Sequence, residues 1–340
     1  MRGSAMTRPI LRGLLLGLTL LATQPITPAM AGEAVVRTVF VGDVMLAESE
    51  GTGRLIARGG DPFGKVREML SAAELRVANF ESSAGTTGTP DPDKPFSFRT
   101  AQSALPGFAA LFQAAGVANN HAGDFGRKDF VETISALEQA GATTFGGGAE
   151  PARAHRAAII ERHGVKIAFL GYLDFLPRWF AVAPGLPGVA WLDEDQAALD
   201  IARARAQGAD VVVIVPHWGM EHEPRANERQ RRLARAMLDA GADAVIGGHP
   251  HVVQDVEIYK GKPIVYSLGN FVFDGFEDED NVTGWALFAD IDKKGIASIA
   301  TRVVRMDADG SPAPEPTKVG PCWKRGEARM SPCRASSGTE

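Results

Sequence analysis

Short apolar runs rich in β-branched residues recur along the chain, and several of them end in a residue that can bind a metal ion. In chain order these runs are VVRTVFVGD, LRVANFE, GVANNH, DVVVIVPHWG and DAVIGGHPH. Amphipathic segments such as 127–140 and 227–240 lie between them, and strands that alternate with helices indicate an α/β fold with parallel pairing. In such a sheet the loops after the carboxyl ends of the strands form the ligand crevice.

Seven side chains with metal-binding chemistry follow these runs. They are Asp43, Glu81, Asn120, His121, His217, His249 and His251. The pair His249 and His251 is the most specific signal, because two glycines precede it and i, i+2 spacing in extended chain places both imidazoles on one side. A polar loop with two surface histidines is the alternative. Delivery of the whole set to one sheet edge predicts a metal centre.

Three of these candidates have a second explanation when each is taken alone. Asp43 ends the first strand, where it could also cap a helix or form a turn. Glu81 could be solvated at the end of its strand. His217 follows the most apolar strand and could be a core histidine satisfied by the backbone.

Asn120 and His121 belong to an Asn-Asn-His sequence that is also typical of turns. The amide oxygen of Asn120 is a neutral hard ligand, which leaves His121 free to act as a proton donor. Asp124 lies three residues further on and could hydrogen-bond His121 and fix its tautomer. The segment therefore predicts either a ligand beside a proton donor or a simple turn.

Further polar residues have weaker interpretations. Asn270 could line the pocket or form a Gly-Asn turn, and Lys94 and Arg99 could bind an anionic substrate or be ordinary surface charges. His155 and His163 lie in charged segments and are expected to face solvent. Between these positions, 107–115 is expected to be helical and 117–120 to be a short strand.

The first residues have the composition of a secretory signal peptide. Arg8 and Arg12 precede an apolar core over 13–22, and small residues over 29–31 supply a cleavage point. The core is too short for a spanning helix, and no later apolar run is long enough for one. We expect residues 1–31 to be removed, and the protein to be exported to the periplasm or secreted without a stable membrane span.

The charge balance narrows the classes of partner. Removal of three arginines with the signal peptide reduces the 36 basic residues to 33 against 41 acidic ones, a net charge of −8. No basic block is interleaved with aromatic residues, which argues against nucleic acid as a partner. An anionic substrate or polymer would need a local site, since a broad polyanion-binding face is not compatible with this charge.

The two cysteines, Cys322 and Cys333, lie close together near the end of the chain. In an exported protein this spacing predicts a disulfide, and without a nearby histidine it is a poor zinc site. Residues 307–340 are rich in Pro, Ser and Gly. They are expected to form an extended tail after a single domain over 32–306.

Six short motifs occur in an order that resembles the CapA family of poly-γ-glutamate capsule synthesis, which is related to the calcineurin-like metallophosphoesterases. The resemblance covers about residues 35–273. The motifs are Gly42-Asp43, Asn79-Phe80-Glu81, Asn119-Asn120-His121 with Asp124, His217-Trp218-Gly219 with Glu221, Gly248-His249-Pro250-His251, and Ser267-Leu268-Gly269-Asn270-Phe271. It implies an α/β fold in four layers, a metallophosphoesterase-like sandwich of two mixed β-sheets flanked by helices.

The resemblance also implies roles for individual residues. The implied metal ligands are Asp43, Glu81, Asn120, His217, His249 and His251. His121 would be the adjacent acid or substrate-binding histidine. The superfamily usually begins with D-x-H, whereas this chain has Met45 at the third position, and a thioether is a poor ligand for hard divalent ions.

Two functional hypotheses follow from the residues and the resemblance. The first is an exported hydrolase with one or two divalent ions (Zn, Mn or Fe), in which water activated by the metal attacks a phosphoester or an amide in cell-envelope or capsule metabolism. His121, oriented by Asp124, would protonate the leaving group. The second is a non-catalytic component that binds an anionic polymer such as poly-γ-glutamate and holds a structural metal.

Overall fold

The computed structural model describes residues 1–3, 34–47, 49, 51–175 and 178–333. Apart from its first three residues, the predicted signal peptide lies outside these ranges. None of the helices within them is long and apolar enough to cross a membrane.

Helices are interspersed among the strands from residue 36 to residue 246, and the described elements after residue 246 are strands. The strands are β1 (Val36–Val44), β2 (Leu75–Phe80), β3 (Ala114–Gly116), β4 (Thr143–Phe145), β5 (Gly147–Gly148), β6 (Ala158–Arg162), β7 (Val165–Asp174), β8 (Gly188–Val189), β9 (Val211–Trp218), β10 (Ala244–Ile246), β11 (Val256–Tyr259), β12 (Lys262–Val265), β13 (Asn270–Val272), β14 (Thr283–Asp292), β15 (Gly295–Met306), β16 (Pro312–Pro314), β17 (Pro321–Lys324) and β18 (Ser331–Pro332). The α-helices are α1 (Thr52–Ala57), α2 (Arg67–Ser71), α3 (Leu105–Leu111), α4 (Arg127–Gln139), α5 (Pro151–Ala154), α6 (Glu194–Ala206) and α7 (Glu228–Asp239).

Two large mixed sheets contain most of the described strands. The first has the order β18-β17-β15-β14-β1-β2-β3-β4, with β13 also beside β1 and β16 beside β15. The second has the order β11-β12-β10-β9-β7-β6. Parallel pairs join β1 through β4 in the first sheet, and β7, β9, β10 and β12 in the second. The carboxyl ends of these strands therefore meet at one edge of each sheet.

The two sheets pack face to face, and helices cover their outer faces. Inward-facing residues of both sheets, such as Phe40 and Val213, share one apolar cluster. The outer face of the first sheet packs against α2, α3 and α4, for example through Phe108. The outer face of the second sheet packs against α6 and α7, for example through Leu233. This arrangement confirms the predicted four-layer sandwich of two mixed sheets flanked by helices.

The alanine-rich segment 107–115 is not helical throughout, so this prediction is wrong in its second half. Helix α3 ends at Leu111 because Phe112 adopts an extended backbone conformation. The next residue, Gln113, then donates its backbone N–H to the carbonyl of Arg76 at 3.0 Å. Strand β3 thus forms three residues earlier than the strand expected over 117–120, because parallel pairing with β2 outweighs the helix propensity of alanine.

The C-terminal segment continues the first sheet. Strand β17 pairs with β15, and Trp323 in β17 is buried in the cluster between the sheets. Cys322 and Cys333 form a disulfide that joins β17 to the residue after β18. The domain boundary placed at residue 306 stays a prediction; β15 ends at Met306, and both β16 and β17 beyond it pair with β15.

Candidate metal centre

The register of the first sheet places three polar residues side by side at its carboxyl edge. Asp43 in β1 lies opposite Asn79 in β2 and opposite Asn270 in β13. An irregularity in the pairing of β1 with β2 precedes Asp43, and such irregularities commonly redirect a side chain next to a site. Gly42 is required here, because a Cβ atom at this position would stand 1.9 Å from the carbonyl oxygen of Gly269.

Asp43, Glu81 and His217 form a fully buried group of potential ligands. One ligand atom from each lies within 4.8 Å of the others. The Nε2 atom of His251 lies 3.8 Å from Oε1 of Glu81, and its Nδ1 atom lies 3.8 Å from Oδ2 of Asp43. The ring of His249 is centred 4.7 Å from that of His217. A group of this kind could bind a metal ion.

Several buried polar atoms of this group have no hydrogen-bond partner among the described residues. They are Oε1 of Glu81 and both ring nitrogens of His249. An orphaned buried polar atom is costly, and native structures usually supply a partner for it. The Nε2 atoms of His217 and His251 each lie 3.8 Å from that Glu81 oxygen, which is too far for a hydrogen bond. The donor set therefore fits a divalent cation, which would satisfy Oε1 of Glu81 and one ring nitrogen of His249.

The electrostatics of the group agree with this fit. Burial, reinforced by the neighbouring Asp43 carboxyl, raises the pKa of Glu81 well above its ordinary value. Burial also raises the pKa of Asp43. Burial and the neighbouring histidines lower the pKa of His217 and of His249 well below the ordinary value. A cation would stabilise the ionised carboxylates and would bind the neutral imidazoles.

Asn79 links the ligands and has no role in the sequence-based prediction. Its Nδ2 atom lies 2.8 Å from Oδ1 of Asp43, 3.1 Å from Oε2 of Glu81 and 3.2 Å from Nδ1 of His217. Its Oδ1 atom accepts a hydrogen bond of 3.1 Å from Asn119. The signal for this role was present in the sequence, since Asn79 and Glu81 are two residues apart at the end of one strand.

Asn270 orients His251. Its Nδ2 atom donates to the carbonyls of His251 and Asn281, at 3.3 and 3.0 Å, which directs its Oδ1 atom to Nδ1 of His251 at 2.8 Å. This hydrogen bond places the proton of His251 on Nδ1 and leaves the lone pair of Nε2 facing Glu81. The structure thus gives Asn270 contacts with a predicted ligand rather than the substrate contact that the sequence suggested.

The backbone around the paired histidines is in an uncommon conformation. His249 has φ of 98° and His251 has φ of 57°, a region that non-glycine residues seldom occupy. The backbone N–H of His249 donates to Oδ2 of Asp43 at 3.0 Å. At Gly248 a Cβ atom would stand 2.6 Å from Oδ1 of Asp43. Strain of this kind is concentrated at functional sites, where the surrounding contacts maintain it.

Asn120 and His121 reach the centre from the loop after β3. Oδ1 of Asn120 lies 2.8 Å from Nε2 of His217. Nδ1 of His121 lies 2.8 Å from Oδ2 of Asp124, as the sequence suggested. Burial lowers the pKa of His121, and the Asp124 carboxylate partly offsets this effect. The assignment of these residues as ligand and proton donor stays a prediction.

The two cations predicted to bind substrate are already paired. The ammonium of Lys94 donates to the carbonyl of Asn120 at 2.7 Å and to the carboxylate of Asp124. Arg99 donates to Asp129 at 2.9 Å, and its guanidinium lies 3.6 Å from the centre of the Phe125 ring. Lys94 therefore contacts Asp124, the partner of His121, and the substrate-binding role of both cations stays a prediction.

Two further expectations are affected by the structure. His155 does not face solvent, because its Nδ1 atom lies 2.8 Å from the buried carboxylate of Asp200. This pair belongs to a hydrogen-bonded group that we call the Asp200 cluster, and its members are His155, Tyr172, Gln196, Asp200 and Arg203.

Met45 is buried, and its sulfur accepts the backbone N–H of Ala47 at 3.2 Å.

Comparison with known proteins agrees with this geometry. Residues 37–275 match the family described as bacterial capsule synthesis protein PGA_cap. The chain is 34% identical over 249 residues to the PGA biosynthesis protein CapA of Bacillus subtilis, an alignment that covers 71% of this chain and 64% of the relative. It is 30% identical over 227 residues to a probable polyglutamine synthesis accessory protein of Mycobacterium tuberculosis, covering 63% of this chain and 60% of the relative.

The chain thus spans less than two thirds of the length of these relatives. Among solved structures, a 5'-nucleotidase precursor from Thermus thermophilus superposes with a TM-score of 0.51 at 16% identity, over 82% of this chain and 56% of that one. At this identity the likeness concerns the fold alone, and it is a metallophosphoesterase-like fold.

Proposed function

The chain belongs to the bacterial capsule synthesis protein family, and from this membership and the geometry of its metal centre we propose that it is a metal-dependent hydrolase. It would cleave a phosphoester or an amide in the metabolism of capsular or other cell-envelope polymers. One observation carries the proposal: ligand atoms of Asp43, Glu81 and His217 converge within 4.8 Å, and Oε1 of Glu81 and the ring nitrogens of the neighbouring His249 are buried without hydrogen-bond partners among the described residues.

Six residues would hold the metal, and they are Asp43, Glu81, Asn120, His217, His249 and His251. Their mixed nitrogen and oxygen atoms suit Zn, Mn or Fe, as one ion or two. A divalent cation bound here supplies Lewis-acid polarisation of the scissile group and activation of water.

His121 would donate a proton to the leaving group. Its Nδ1 atom is held by Asp124 at 2.8 Å, so its Nε2 atom is the one available to substrate. Lys94 and the backbone N–H of Phe98 both donate to Asp124, which keeps that carboxylate oriented. Burial lowers the pKa of His121. The protonated ring is therefore a stronger acid and releases its proton more readily.

We further propose that the protein acts outside the cytoplasm, which rests on the signal-peptide composition of residues 1–31. An envelope polymer would be accessible to it there. The association with capsular polymer comes from the names of its relatives.

A second candidate function is a non-catalytic component that binds capsular polymer and holds a structural metal. The position of Met45 favours it, because the metallophosphoesterase pattern places another histidine ligand there and this sulfur accepts a backbone hydrogen bond instead. This candidate predicts saturable binding of poly-γ-glutamate without cleavage.

The experiment combines a metal assay with a hydrolysis screen of purified full-length protein. Metal content is measured after dialysis, and cleavage of phosphoesters is compared with cleavage of γ-glutamyl amides. His249→Ala should lose both metal and activity, whereas the control His155→Ala should keep both. Full activity after a chelator has removed all metal would contradict the hydrolase proposal.

A further inference from the structure

An aromatic cleft opens directly beside the metal centre. It has a volume of about 670 Å³, which is typical of a site for a small molecule. Met45, His121 and His251 line it on the side of the centre. Its walls carry four phenylalanines, which are Phe96, Phe98, Phe273 and Phe276.

The aromatic side chains form one continuous cluster. Phe98 packs on His121 with ring centres 4.2 Å apart, and it contacts Phe273 edge to face at 5.6 Å. Phe276 lies 5.4 Å from Phe273 and 5.3 Å from the ring of His251. The rings thus extend without interruption from the histidines of the centre into the cleft.

Phe96 is the outermost member of the cluster. It stacks on Phe98 with ring centres 6.5 Å apart, and it remains 68% exposed. Exposed apolar surface that continues a cleft is typical of a ligand site. A ligand in the cleft would remove this ring from water.

The charge of the cleft is acidic. No lysine or arginine is among the described residues that line it, whereas Glu221 and Asp274 are. Asp274 already accepts hydrogen bonds from Ser49 and from the backbone N–H groups of Gly51 and Thr52. Glu221 is exposed, and its charge would repel an anionic group in the cleft. Successive carboxylates of a polyanion would find no lysine or arginine to pair with among the described residues of the lining.

We infer that the substrate carries an uncharged aryl or alkyl group next to the bond that is cleaved, and that this group occupies the aromatic cleft. The inference rests on the proposed function, because it assigns the scissile group to the metal centre. It names the class of substrate as an ester or amide with an apolar flank, in contrast to a run of γ-glutamyl carboxylates.

The test measures binding of three probes to the full-length protein loaded with metal. The probes are phenylphosphonate, methylphosphonate and tri-γ-glutamate. A phosphonate resembles a phosphoester in charge and shape, and it resembles the tetrahedral anion that forms when water attacks an amide. Burial of the phenyl ring should make phenylphosphonate bind about tenfold more tightly than methylphosphonate. Tri-γ-glutamate should bind more weakly than phenylphosphonate.

Substitutions in the aromatic cleft test whether the phenyl group of the probe binds there. Phe96→Ala and Phe276→Ala should reduce the preference for phenylphosphonate, whereas Leu186→Ala removes an exposed apolar side chain elsewhere and should not. Because Phe96 is mostly exposed, its loss should leave the fold intact. Circular dichroism and metal content check each variant.

The outcomes separate this inference from the proposed function. Equal affinity for the two phosphonates, tightest binding of tri-γ-glutamate, or no binding of any probe overturns the inference. If the phosphonates bind equally while the screen detects hydrolysis, only the inference fails. If phenylphosphonate is preferred through Phe96 but no bond is cleaved, the assignment of the aromatic cleft to an apolar group stands and the hydrolase proposal fails.

Discussion

Two clusters in this molecule combine a buried aspartate with histidine, and they differ in how completely their polar atoms are hydrogen-bonded. In the Asp200 cluster each carboxylate oxygen has two donors. Oδ2 accepts from Tyr172 at 3.1 Å and lies 2.8 Å from Nδ1 of His155, while Oδ1 accepts from Gln196 at 2.7 Å and from Arg203 at 3.1 Å. This carboxylate needs no further partner.

In the metal centre the Asp43 carboxylate is also hydrogen-bonded, but other buried atoms are not. Neither ring nitrogen of His249 has a hydrogen-bond partner among the described residues, and neither does Oε1 of Glu81. The backbone at His249 is also held at a positive φ. A buried Asp–His pair is therefore not by itself a sign of function. Unsatisfied atoms and a constrained backbone distinguish the centre from the Asp200 cluster, whose contacts stabilise the fold.

The largest difference should appear when the aspartate of each cluster is replaced by asparagine. Asp43→Asn should weaken metal binding by at least about 100-fold, the upper end of what loss of an outer partner costs. Asp200→Asn should leave metal binding unchanged and lower the free energy of unfolding by about 3 kcal/mol, since it places an NH₂ group against buried donors. Calorimetric metal titration and urea unfolding measure the two effects. Weaker metal binding in Asp200→Asn would contradict the distinction between the metal centre and the Asp200 cluster.

Replacement of one histidine in each cluster by leucine sharpens the comparison. His249→Leu should change the stability of the metal-free protein little, because its ring nitrogens form no hydrogen bond with the described residues. It should abolish the stabilisation by metal, which amounts to about 2.7 kcal/mol at a free concentration of about 100 times Kd. His155→Leu should cost about 1.5 kcal/mol through its lost bond to Asp200 and keep the metal effect. Urea unfolding with and without chelator tests both variants.

The sequence indicated which residues lie at the sheet edges around the centre, because this placement follows from the geometry of parallel strands. Asp43 and Glu81 lie at the ends of neighbouring parallel strands of the first sheet, and His217 lies near the end of a parallel strand of the second. Parallel strands carry their carboxyl ends to the same side of their sheet. The glycines before His249 also indicated a tight approach of the backbone. These features depend on local pattern alone.

What the sequence could not predict depends on register and on distant contacts. The contact of Asn79 with Asp43 arises because the two residues lie opposite each other on neighbouring strands, and its contact with His217 depends on a strand of the other sheet. His155 was expected to face solvent because its neighbours are charged, and its partner Asp200 is 45 residues away in the chain. Strand β17 likewise became part of the first sheet through Trp323, which a Pro- and Gly-rich segment did not indicate.

A smaller effect should follow from loss of the residues that orient His251. Asn270→Ala removes the oxygen that accepts the Nδ1 proton of His251. It should weaken metal binding by about 10-fold to 100-fold. The side-chain amide of Asn281 donates to the backbone carbonyl of His251, at 3.1 Å, and lies 2.9 Å from Nδ1 of His222, so it does not touch the ring of His251 through these bonds. Asn281→Ala should therefore weaken metal binding less than Asn270→Ala. The opposite ranking in a metal titration would mean that side-chain orientation does not set the affinity.

The smallest effect should come from an exposed pair, which gives the comparison its lower limit. Arg37 donates to Asp290 at 2.8 Å on the surface, and this hydrogen bond lowers the pKa of the Asp290 carboxyl. A lowered pKa stabilises the folded state above the ordinary aspartate pKa of about 3.9, and the contribution is lost as the pH falls through the folded value. Because solvent screens the pair, Arg37→Met should cost less than about 1 kcal/mol near neutral pH and nothing in strong acid. Urea unfolding across that pH range tests this. A cost equal to that of Asp200→Asn would show that burial is not what makes the Asp200 cluster strong.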